Sequence, residues 1–500
     1  MMLHLRRIVQ GTAVAGFIGL FLAARFPFRP LFPVDLGLRF SPFAAVADSL
    51  ASWHLATAFW PGFLILLATP VLGRFFCGWL CPLGSAFDLW RRLAGTPSGS
   101  AAPLPRFPKI LLFAGLCFTA MAGGPFWGWF DPLALFNRIL TGVVHPIVSY
   151  IIVYISSFLE WIPGFTTFRR STGKLLMPEP LFHPAQFWSL AALLLLFAVL
   201  EYVRPRFWCR SLCPAGALLG LCASRRLHAR RIDESCINCG ACGRVCPMDA
   251  VESSPRRIDP AECIECRLCD RVCPPGTSAV VKRFSFGPWE ARPIDLTRRR
   301  LLGSAACGLA LAAGERLLPE DRIERGDLIR PPGALDEAAF RQRCLRCLQC
   351  VRICASNGGC LQPDGLAHGL SGLWAPAANM RTGYCEYNCN LCGNVCPTGA
   401  IRRQTLAEKQ KMPLGRAVFD KNFCIPHRRN EDCLVCEEHC PVPDKAIRFE
   451  IREGLAPDGT KHLVKYPFVV PDKCVGCGIC ENKCPLPGRP GIFVANEKKL

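Results

Sequence analysis

Thirty-two cysteines in a chain of 500 residues limit what this protein can be more than any other sequence feature. A disulfide-rich secreted protein is short and spaces its cysteines across loops, whereas most cysteines here lie three or four positions apart in tight runs. Such runs are typical of metal ligands. At ~100 to 200 residues per domain, the length allows three or four domains. We therefore predict several metal-binding domains rather than one disulfide scaffold.

The first two runs have the spacing C-x2-C-x2-C-x3-C-P of bacterial two-cluster ferredoxins. They are Cys236, Cys239, Cys242, Cys246 and Cys263, Cys266, Cys269, Cys273. Three closely spaced thiolates wrap one corner of a [4Fe-4S] cluster, and the fourth, before a proline turn, binds the neighbouring cluster. We thus expect Cys246 to serve the second cluster and Cys273 the first. A zinc ribbon would instead separate two C-x2-C pairs by a loop, so zinc is the minor alternative.

The last 160 residues carry four more runs. These are Cys344, Cys347, Cys350, Cys354; Cys385, Cys389, Cys392, Cys396; Cys424, Cys433, Cys436, Cys440; and Cys474, Cys477, Cys480, Cys484. The second and third runs have wider gaps, which allow a longer loop, and His427 in the third is expected to be a surface histidine rather than a ligand. Cys360 belongs to none of these runs. Six runs predict six [4Fe-4S] clusters and, at four irons each, about 24 irons per chain.

Apolar stretches in the first 230 residues predict a membrane-embedded part. Runs at about 8–24, 55–76, 109–130 and 186–203 approach or reach the ~20 residues of a membrane span, so about four spans are expected. The apolar stretch 143–159 is interpreted as interfacial or re-entrant, because a further crossing would put two basic flanks on opposite sides. The net charge of +20 collects beside these segments, with no nucleic-acid recognition module, so nucleic-acid binding is not expected.

One motif occurs twice in this part, as Arg-Phe-Phe-Cys-Gly-Trp-Leu-Cys-Pro-Leu-Gly at 74–84 and Arg-Phe-Trp-Cys-Arg-Ser-Leu-Cys-Pro-Ala-Gly at 206–216. If the turn is helical, the i, i+4 spacing places both thiols of each copy on one face. The four cysteines could meet as ligands of a further metal or cluster, form two dithiol pairs, or be small buried apolar residues. A redox or metal role is favoured. The cysteines are Cys77, Cys81, Cys209 and Cys213.

Residues 295–314 combine an arginine cluster with about 13 apolar residues, a length that suits a signal sequence rather than an ordinary span. Thr297, Arg298, Arg299, Leu301 and Leu302 look like a twin-arginine export signal inside the chain. That route exports folded cargo, which suits a domain whose clusters are inserted in the cytoplasm. The alternative is a basic linker followed by a short buried helix.

These motifs together resemble a fusion of two ferredoxin families. Residues 1 to about 290 resemble the NapH/MauN membrane ferredoxins, and about 295–500 resemble the NapG/MauM polyferredoxins exported by the twin-arginine route. The expected fold is a membrane α-helical bundle followed by α+β ferredoxin-like [4Fe-4S] domains, with an internal signal-anchor helix between them. The expected boundaries are 1–229 (transmembrane module), 230–290 (two-cluster ferredoxin), 291–330 (signal, anchor and linker) and 331–500 (four-cluster domain).

The resemblance also implies how the last four runs share ligands, the first with the last and the second with the third. Cys484 would then join the first run, Cys440 the second, Cys396 the third and Cys354 the fourth. It further implies a bacterial inner-membrane protein that oxidises quinol and passes electrons to a periplasmic cytochrome or reductase. Residues 230–290 would be cytoplasmic and 331–500 periplasmic.

Quinol oxidation needs proton acceptors near the membrane edge, and five ionisable residues qualify. They are Asp131, His145 and Glu201, with Glu160 and His183 as further candidates. The alternative function is an assembly or regulatory reductase similar to the NosR and CcoG membrane ferredoxins, in which the repeated cysteine pairs would reduce a metal or disulfide of another enzyme.

Overall fold

The computed structural model describes most of the chain. The described residues are 2–27, 33–95, 107–159, 167, 184–224, 227–232, 236–252, 257–273, 280–284, 298–317, 328–366, 368–455 and 460–496. Apolar helices make up the described residues as far as 224, whereas short helices and two-stranded sheets dominate afterwards. Glu160, His183 and Thr297, which the sequence singles out, lie outside the described residues.

Eleven α-helices form the first part among the described residues. They are α1 (Met2–Ala23), α2 (Leu36–Arg39), α3 (Pro42–Ser52), α4 (Trp60–Leu72), α5 (Pro82–Leu93), α6 (Phe107–Met121), α7 (Pro132–Ile139), α8 (His145–Phe158), α9 (Pro184–Val203), α10 (Phe207–Ser211) and α11 (Pro214–Ala223). Single π-helical turns at Phe76–Leu80 and Leu140–Val144 and 3-10 turns at Thr57–Phe59 and Phe126–Trp129 connect some of them.

Five of these helices begin with proline, which costs no hydrogen bond there because the first helical N–H has no partner within the helix, and in four of them the preceding residue is described. The residues before the prolines are Ser41, Cys81, Asp131 and Cys213. The Asp131 side chain accepts from the backbone N–H groups of the first turn of α7, and the Cys213 sulfur accepts likewise at α11. The C-P pairs of the repeated motif therefore set the start of α5 and α11.

Three helical stretches are long and apolar enough to cross a membrane: Leu3–Ala23, Pro132–Phe158 and Gln186–Val203. The predicted spans near 55–76 and 109–130 form shorter apolar helices, at Thr57–Leu72 and Phe107–Met121. The stretch read as interfacial is instead the second half of the longest helix. A π-helical turn keeps α7 and α8 continuous, and Pro146 falls in the first turn of α8, where it does not end the helix. The count of four spans therefore stays a prediction.

The second part contains short helices between cysteine runs. They are α12 (Ala241–Val245), α13 (Leu268–Val272), α14 (Arg298–Leu317), α15 (Glu337–Arg343), α16 (Gln349–Ala355), α17 (Leu391–Asn394), α18 (Leu406–Lys411), α19 (Ile425–Arg429), α20 (Val435–Glu438) and α21 (Ile479–Asn482), with 3-10 turns at Leu370–Gly372 and Pro471–Lys473. α14 contains the apolar segment of the predicted export signal. It packs along α6 so closely that a Cβ on Gly308 would lie 2.6 Å from the Gly115 carbonyl oxygen.

The described strands form four antiparallel pairs, as ferredoxin-like α+β domains require. β1 (His228–Ile232) pairs with β2 (Val280–Phe284), β3 (Leu361–Pro363) with β4 (Pro376–Ala378), β5 (Arg416–Phe419) with β8 (Ile492–Ala495), and β6 (Ile447–Leu455) with β7 (Lys461–Val469). β1 and β2 bracket the two-cluster ferredoxin, with His228 opposite Phe284 and Ile232 opposite Val280. The pair β5–β8 brackets the last two cysteine runs in the same way.

Both cysteine-rich parts pack against the apolar helices, at opposite ends of α6. Near its start, Lys109 pairs with Glu262 of the two-cluster ferredoxin. Near its end, the Ala120 carbonyl oxygen accepts from Gln342 of α15 at 3.4 Å. One continuous core of buried residues extends from the membrane helices to Ile264 on one side and Leu345 on the other. The helices therefore separate two groups of cysteine runs.

Candidate iron-sulfur centres

The second run of the two-cluster ferredoxin lines a largely apolar pocket of about 370 Å³. Its cysteines are Cys246, Cys263, Cys266 and Cys269, which we call site E. Cys246 thus lies with the second run, as the ferredoxin spacing predicts. The complementary set lies nearer the surface, because Cys239 is exposed and Cys236, Cys242 and Cys273 are half-buried.

The last four runs form two similar pockets. A pocket of about 440 Å³ is lined by Cys354, Cys385, Cys389 and Cys392, which we call site B. A pocket of about 340 Å³ is lined by Cys424, Cys433, Cys436 and Cys484, which we call site D. Cys396 is the electrostatic neighbour of Cys344, Cys347 and Cys350 (site A). Cys440 is that of Cys477, which with Cys474 and Cys480 makes up site C.

This arrangement corrects the ligand sharing implied by the resemblance. The first and second runs exchange their last cysteines, and the third and fourth runs do the same. Cys354 therefore joins the second run rather than the fourth, and Cys484 joins the third run rather than the first. Backbone pairing explains the exchange. The Tyr384 N–H donates to the Gly358 carbonyl at 2.8 Å, which brings the segment after Cys354 beside the segment before Cys385. The domain is therefore built as two consecutive two-cluster ferredoxin units.

Backbone N–H groups donate to the sulfur of the last cysteine in several runs, each from a residue four to seven positions later. The bonds are Ala250 to Cys246 (3.3 Å), Ile401 to Cys396 (3.5 Å), Ala446 to Cys440 (3.4 Å) and Gly491 to Cys484 (3.3 Å). Such bonds favour the thiolate, the form that binds iron. Among the described residues, no three His, Cys, Asp or Glu side chains converge on a single-ion site, and the thiols instead line pockets of 340 to 440 Å³. These sites suit a polynuclear cluster.

A fifth thiol lies in site B. Cys360 is 2% exposed, and its Sγ lies 3.9 Å from the Sγ of Cys354. Its thiol also hydrogen-bonds Cys385, and the two bonds lower the pKa of Cys354 and of Cys385. The spacing of the runs gives no sign of this contact, because Cys360 reaches the site only through the turn that begins β3.

Sites A to D form a row that begins at the membrane helices. Asn137 of α7 donates to the Cys347 carbonyl at 2.8 Å, which places site A against the bundle. Cys350 of site A neighbours Cys392 of site B. The Cys385 N–H of site B donates to the Cys477 carbonyl of site C at 2.8 Å. Cys480 of site C in turn neighbours Cys436 of site D. The order along the row is therefore A, B, C, D.

Site A is held to the bundle by groups that the sequence analysis missed. Asn137 and Arg138 interrupt an apolar stretch, which was the available signal. Arg138 is fully buried and donates from Nε to the Arg346 carbonyl at 2.9 Å, and Arg346 donates to the Pro125 carbonyl. A Cβ on Gly128 would lie 2.8 Å from the Leu345 carbonyl oxygen, so the two backbones are in direct contact.

The repeated motif brings its four cysteines together. All four are buried in the core shared with the membrane helices, with exposures of 5% to 9%, and each lies within electrostatic range of others from both copies. We call Cys77, Cys81, Cys209 and Cys213 the membrane thiol site. Glu262, Arg74 and Lys109 form a buried ion-pair group beside it.

The predicted proton acceptors have local partners. Asp131 is fully buried, caps α7 and accepts from the Ser41 hydroxyl, and burial raises its pKa. Glu201 accepts from the backbone N–H groups of Arg206 at 2.6 Å and Trp208 at 3.3 Å. His145 is buried, with Nδ1 3.4 Å from the Ser149 hydroxyl and its ring against Phe21. Asp131 thus holds the start of α7, and Glu201 holds the start of α10.

Comparisons with known proteins agree with these sites. A family model described as a 4Fe-4S binding domain matches residues 53–99, 185–232 and 392–406. A 4Fe-4S dicluster domain matches residues 235–277, and another 4Fe-4S binding domain matches 467–486. No solved structure matches the chain significantly.

Three relatives illustrate the similarity. Ferredoxin-type protein NapG of Escherichia coli is 36% identical over 194 residues, which are 38% of this chain and 79% of NapG. The methylamine utilization ferredoxin-type protein MauM of Methylorubrum extorquens is 33% identical over 214 residues, 41% of this chain and 91% of MauM. Ferredoxin-type protein NapH of Escherichia coli is 30% identical over 216 residues, 42% of this chain and 60% of NapH. The chain, which carries 4Fe-4S domains and helices apolar enough for a membrane, therefore belongs to the family of ferredoxin-type proteins that includes NapG and MauM.

Proposed function

We propose that this protein holds six [4Fe-4S] clusters, oxidises quinol at a bacterial inner membrane and passes the electrons through the four exported clusters toward a periplasmic acceptor. The observation that carries the proposal is the row of sites A to D, which starts in direct contact with the apolar helices. The clusters would supply one-electron carriers, and the protein holds them at fixed positions. Residues 230–290 face the cytoplasm in this proposal, and 331–500 face the periplasm.

The contact at site A supports electron entry there. Asn137 bonds to the backbone of Cys347, and the neighbouring Arg138 lies between Gly128 and Arg346 with bonds of 3.0 Å and 2.9 Å to their carbonyls. These are buried, rigid contacts between a helix of the bundle and a cluster-binding loop. Site A is therefore the first exported site that electrons from the membrane would reach.

Quinol oxidation releases two protons with the two electrons, and Asp131, His145 and Glu201 are the proposed acceptors. Asp131 lies at the site A end of the bundle, next to Ser41 and six positions before Asn137. Burial raises its pKa, which favours uptake of a proton by this carboxylate. Asp131 is thus the acceptor that we place nearest to electron entry.

Electrons would leave the row at site D. This site lies under the β6–β7 hairpin, since Pro467 of β7 and Phe419 of β5 line its pocket. The hairpin exposes Ile451 and Leu463, which are 60% and 68% accessible. A soluble cytochrome or reductase would therefore bind closest to site D, at the end of the row distant from the bundle.

Burial favours this relay over an assembly or regulatory reductase. A reductase of that kind needs thiols that a client metal or disulfide can reach. The cysteines of the membrane thiol site are less than 10% exposed and form part of the main core. An internal carrier needs no such access.

The test is reduction of the full-length protein by quinol in proteoliposomes, followed by visible absorption and low-temperature EPR. We expect quinol to reduce all four exported sites in the wild type. In Cys389→Ser, which removes a ligand of site B, quinol should still reduce site A, whereas sites C and D stay oxidised until dithionite is added. Cys307→Ser, at an exposed position of α14, is the matched control. Unchanged reduction of site D in Cys389→Ser, or clusters that respond to dithionite but never to quinol, would contradict the proposal.

A further inference from the structure

We propose that Cys77, Cys81, Cys209 and Cys213 together hold one more [4Fe-4S] cluster, buried between the two ferredoxin parts. The two copies of the motif contribute two ligands each. In both copies an arginine stands three positions before the first cysteine, and a glycine three positions after the second. The role of this cluster as a link in electron transfer rests on the proposed function, but its presence does not.

Each arginine of the motif reaches across to the other copy. Arg206 of the second copy donates to the carbonyls of Cys77 at 3.0 Å and Gly84 at 3.2 Å, both in the first copy. Arg74 of the first copy lies against the second, where a Cβ on Gly216 would be 2.9 Å from its Nη2. This crossed arrangement gives the four thiols an approximate two-fold symmetry, which suits a symmetric four-ligand group.

Arg74 points to an anion at this place. It is 0% exposed, and only Nη1 of its three nitrogens has hydrogen-bond partners among the described residues, at Ala261 and Glu262. The side chain lies beside Cys77 and Cys213. The guanidinium also interacts with the Cys77 sulfur, and no carboxylate of the described residues faces its other two nitrogens, so it is costly to bury unless these sulfurs carry negative charge. Thiolates on an iron-sulfur core supply that charge.

The surrounding ion pairs lead to the same conclusion. The Glu262 carboxylate is shared by Arg74 and Lys109. The Asp88 carboxylate is shared by Arg206 and Arg6, at 2.9 Å and 2.5 Å. Even with Glu201, which accepts from the Arg206 backbone, the cations outnumber the carboxylates. Four neutral thiols would leave this excess of one positive charge buried, whereas a [4Fe-4S] centre with four thiolates, with a net charge of −2 or −3, more than offsets it.

The cysteines before proline are held as they are in the ferredoxin sites. The Gly216 N–H donates to the Cys213 sulfur at 3.3 Å, and the Gly84 N–H bonds Cys81 in the same way. The bonds to Cys246 and Cys484 have the same length of 3.3 Å. Glycine is needed because a Cβ on Gly84 would lie 2.9 Å from the Cys77 carbonyl oxygen. A cysteine sulfur that accepts a backbone N–H thus occurs both in the membrane thiol site and in the ferredoxin sites.

The membrane thiol site lies between site E and site A. On one side Trp79, between Cys77 and Cys81, donates to the Glu265 carbonyl at 3.2 Å, next to Cys266 of site E. On the other side Trp208 stacks on Phe130 at 6.2 Å, and Phe130 precedes Asp131 at the site A end. A cluster here joins the cytoplasmic ferredoxin to the exported row, one electron at a time.

The first test counts iron and acid-labile sulfide in anaerobically purified full-length protein. Six clusters give about 24 irons per chain and seven give about 28, at four irons each. We expect the higher value, and a wild type with the lower value overturns the inference, as does zinc or copper bound at this site. The count does not depend on quinol. A protein with about 28 irons that quinol fails to reduce would contradict the proposed function and leave this inference intact.

The second test locates the extra cluster. Cys77→Ser/Cys209→Ser should lose about four irons and four sulfides and keep the EPR signals of the other clusters. Cys222→Ser, on α11 with Cys213 but outside the membrane thiol site, is the matched control and should lose none. Equal iron in the double variant and the control overturns the inference. If the double variant fails to fold, Arg74→Met serves instead, because loss of the positive charge beside Cys77 and Cys213 should lower the reduction potential of a cluster in addition to that of the adjacent site E. No change in any potential would overturn the inference.

Discussion

The ferredoxin runs and the membrane motif use the same turn, a cysteine before proline whose sulfur accepts a backbone N–H, but they assemble their sites differently. In site E three ligands lie within seven residues, and the fourth comes from the preceding run. In the membrane thiol site the two copies lie well over a hundred residues apart, and helix packing with buried ion pairs brings them together. The first kind of site depends on the cluster for its order, whereas the second depends on the surrounding helices.

Removal of iron should show the largest difference between the ferredoxin sites and the membrane thiol site. Among the described residues, the hydrophobic core between sites C and D has five buried members, and two of these, Cys436 and Cys480, are themselves cluster ligands, so we expect the clusters to supply much of the stability. We expect anaerobic chelation to abolish the cooperative unfolding transition of residues 331–500. The helical signal of the membrane part should remain, and circular dichroism with limited proteolysis can follow both. A transition that survives chelation would show that the apolar cores suffice.

Glu262→Gln addresses the ion pairs that join the two-cluster ferredoxin to the bundle. The substitution leaves Arg74 and Lys109 buried without their shared carboxylate, and breaking a buried pair costs about 3 to 5 kcal/mol. Thermal unfolding in nanodiscs should show this loss. Glu450→Gln, at an exposed pair with Arg452, should leave the unfolding temperature nearly unchanged, because water screens an exposed ion pair. Equal effects of the two substitutions would mean that the buried group does not hold the interface.

Gly128→Val tests the contact between the bundle and site A. Its side chain would meet the Leu345 carbonyl oxygen, and overpacking of this kind costs about 1 to 3 kcal/mol. We expect slower quinol-dependent reduction of sites A to D with unchanged iron content, measured by stopped-flow absorption. Gly16→Ala, where no neighbour lies within 4 Å, should leave the rate unchanged. A normal rate in Gly128→Val would place electron entry elsewhere.

Cys360→Ala should have the smallest effect. Site B keeps its four ligands but loses the one S–H donor that lies between Cys354 and Cys385. At about 0.5 to 1.5 kcal/mol per hydrogen bond, the midpoint potential of this cluster should fall by roughly 20 to 60 mV. Redox titration followed by EPR measures this, with Cys307→Ala as the control. Loss of iron from Cys360→Ala would instead identify Cys360 as a ligand.

The sequence predicted the cysteine runs and the family because both depend on local spacing. The sharing between runs was predicted wrongly for the last four, since the contact of Cys354 with Cys385 depends on backbone pairing between Gly358 and Tyr384. Asn137 and Arg138 were overlooked because hydropathy treats polar residues in an apolar helix as noise. Of the helix 132–158, only the stretch 143–159 was recognised from the sequence. No sequence rule anticipates the π-helical turn that keeps this helix continuous.

The short length of α6 has a consequence for the surrounding lipid. Lys109 and Ala120 contact the two ferredoxin parts from positions eleven residues apart, which is about 16 Å along a helix. A bilayer has a hydrocarbon thickness of about 30 Å, so this inner helix cannot match it, whereas the longer stretches 3–23 and 132–158 can. We therefore expect the protein to thin the bilayer locally around α6, and bilayers with shorter acyl chains should accommodate it with less hydrophobic mismatch.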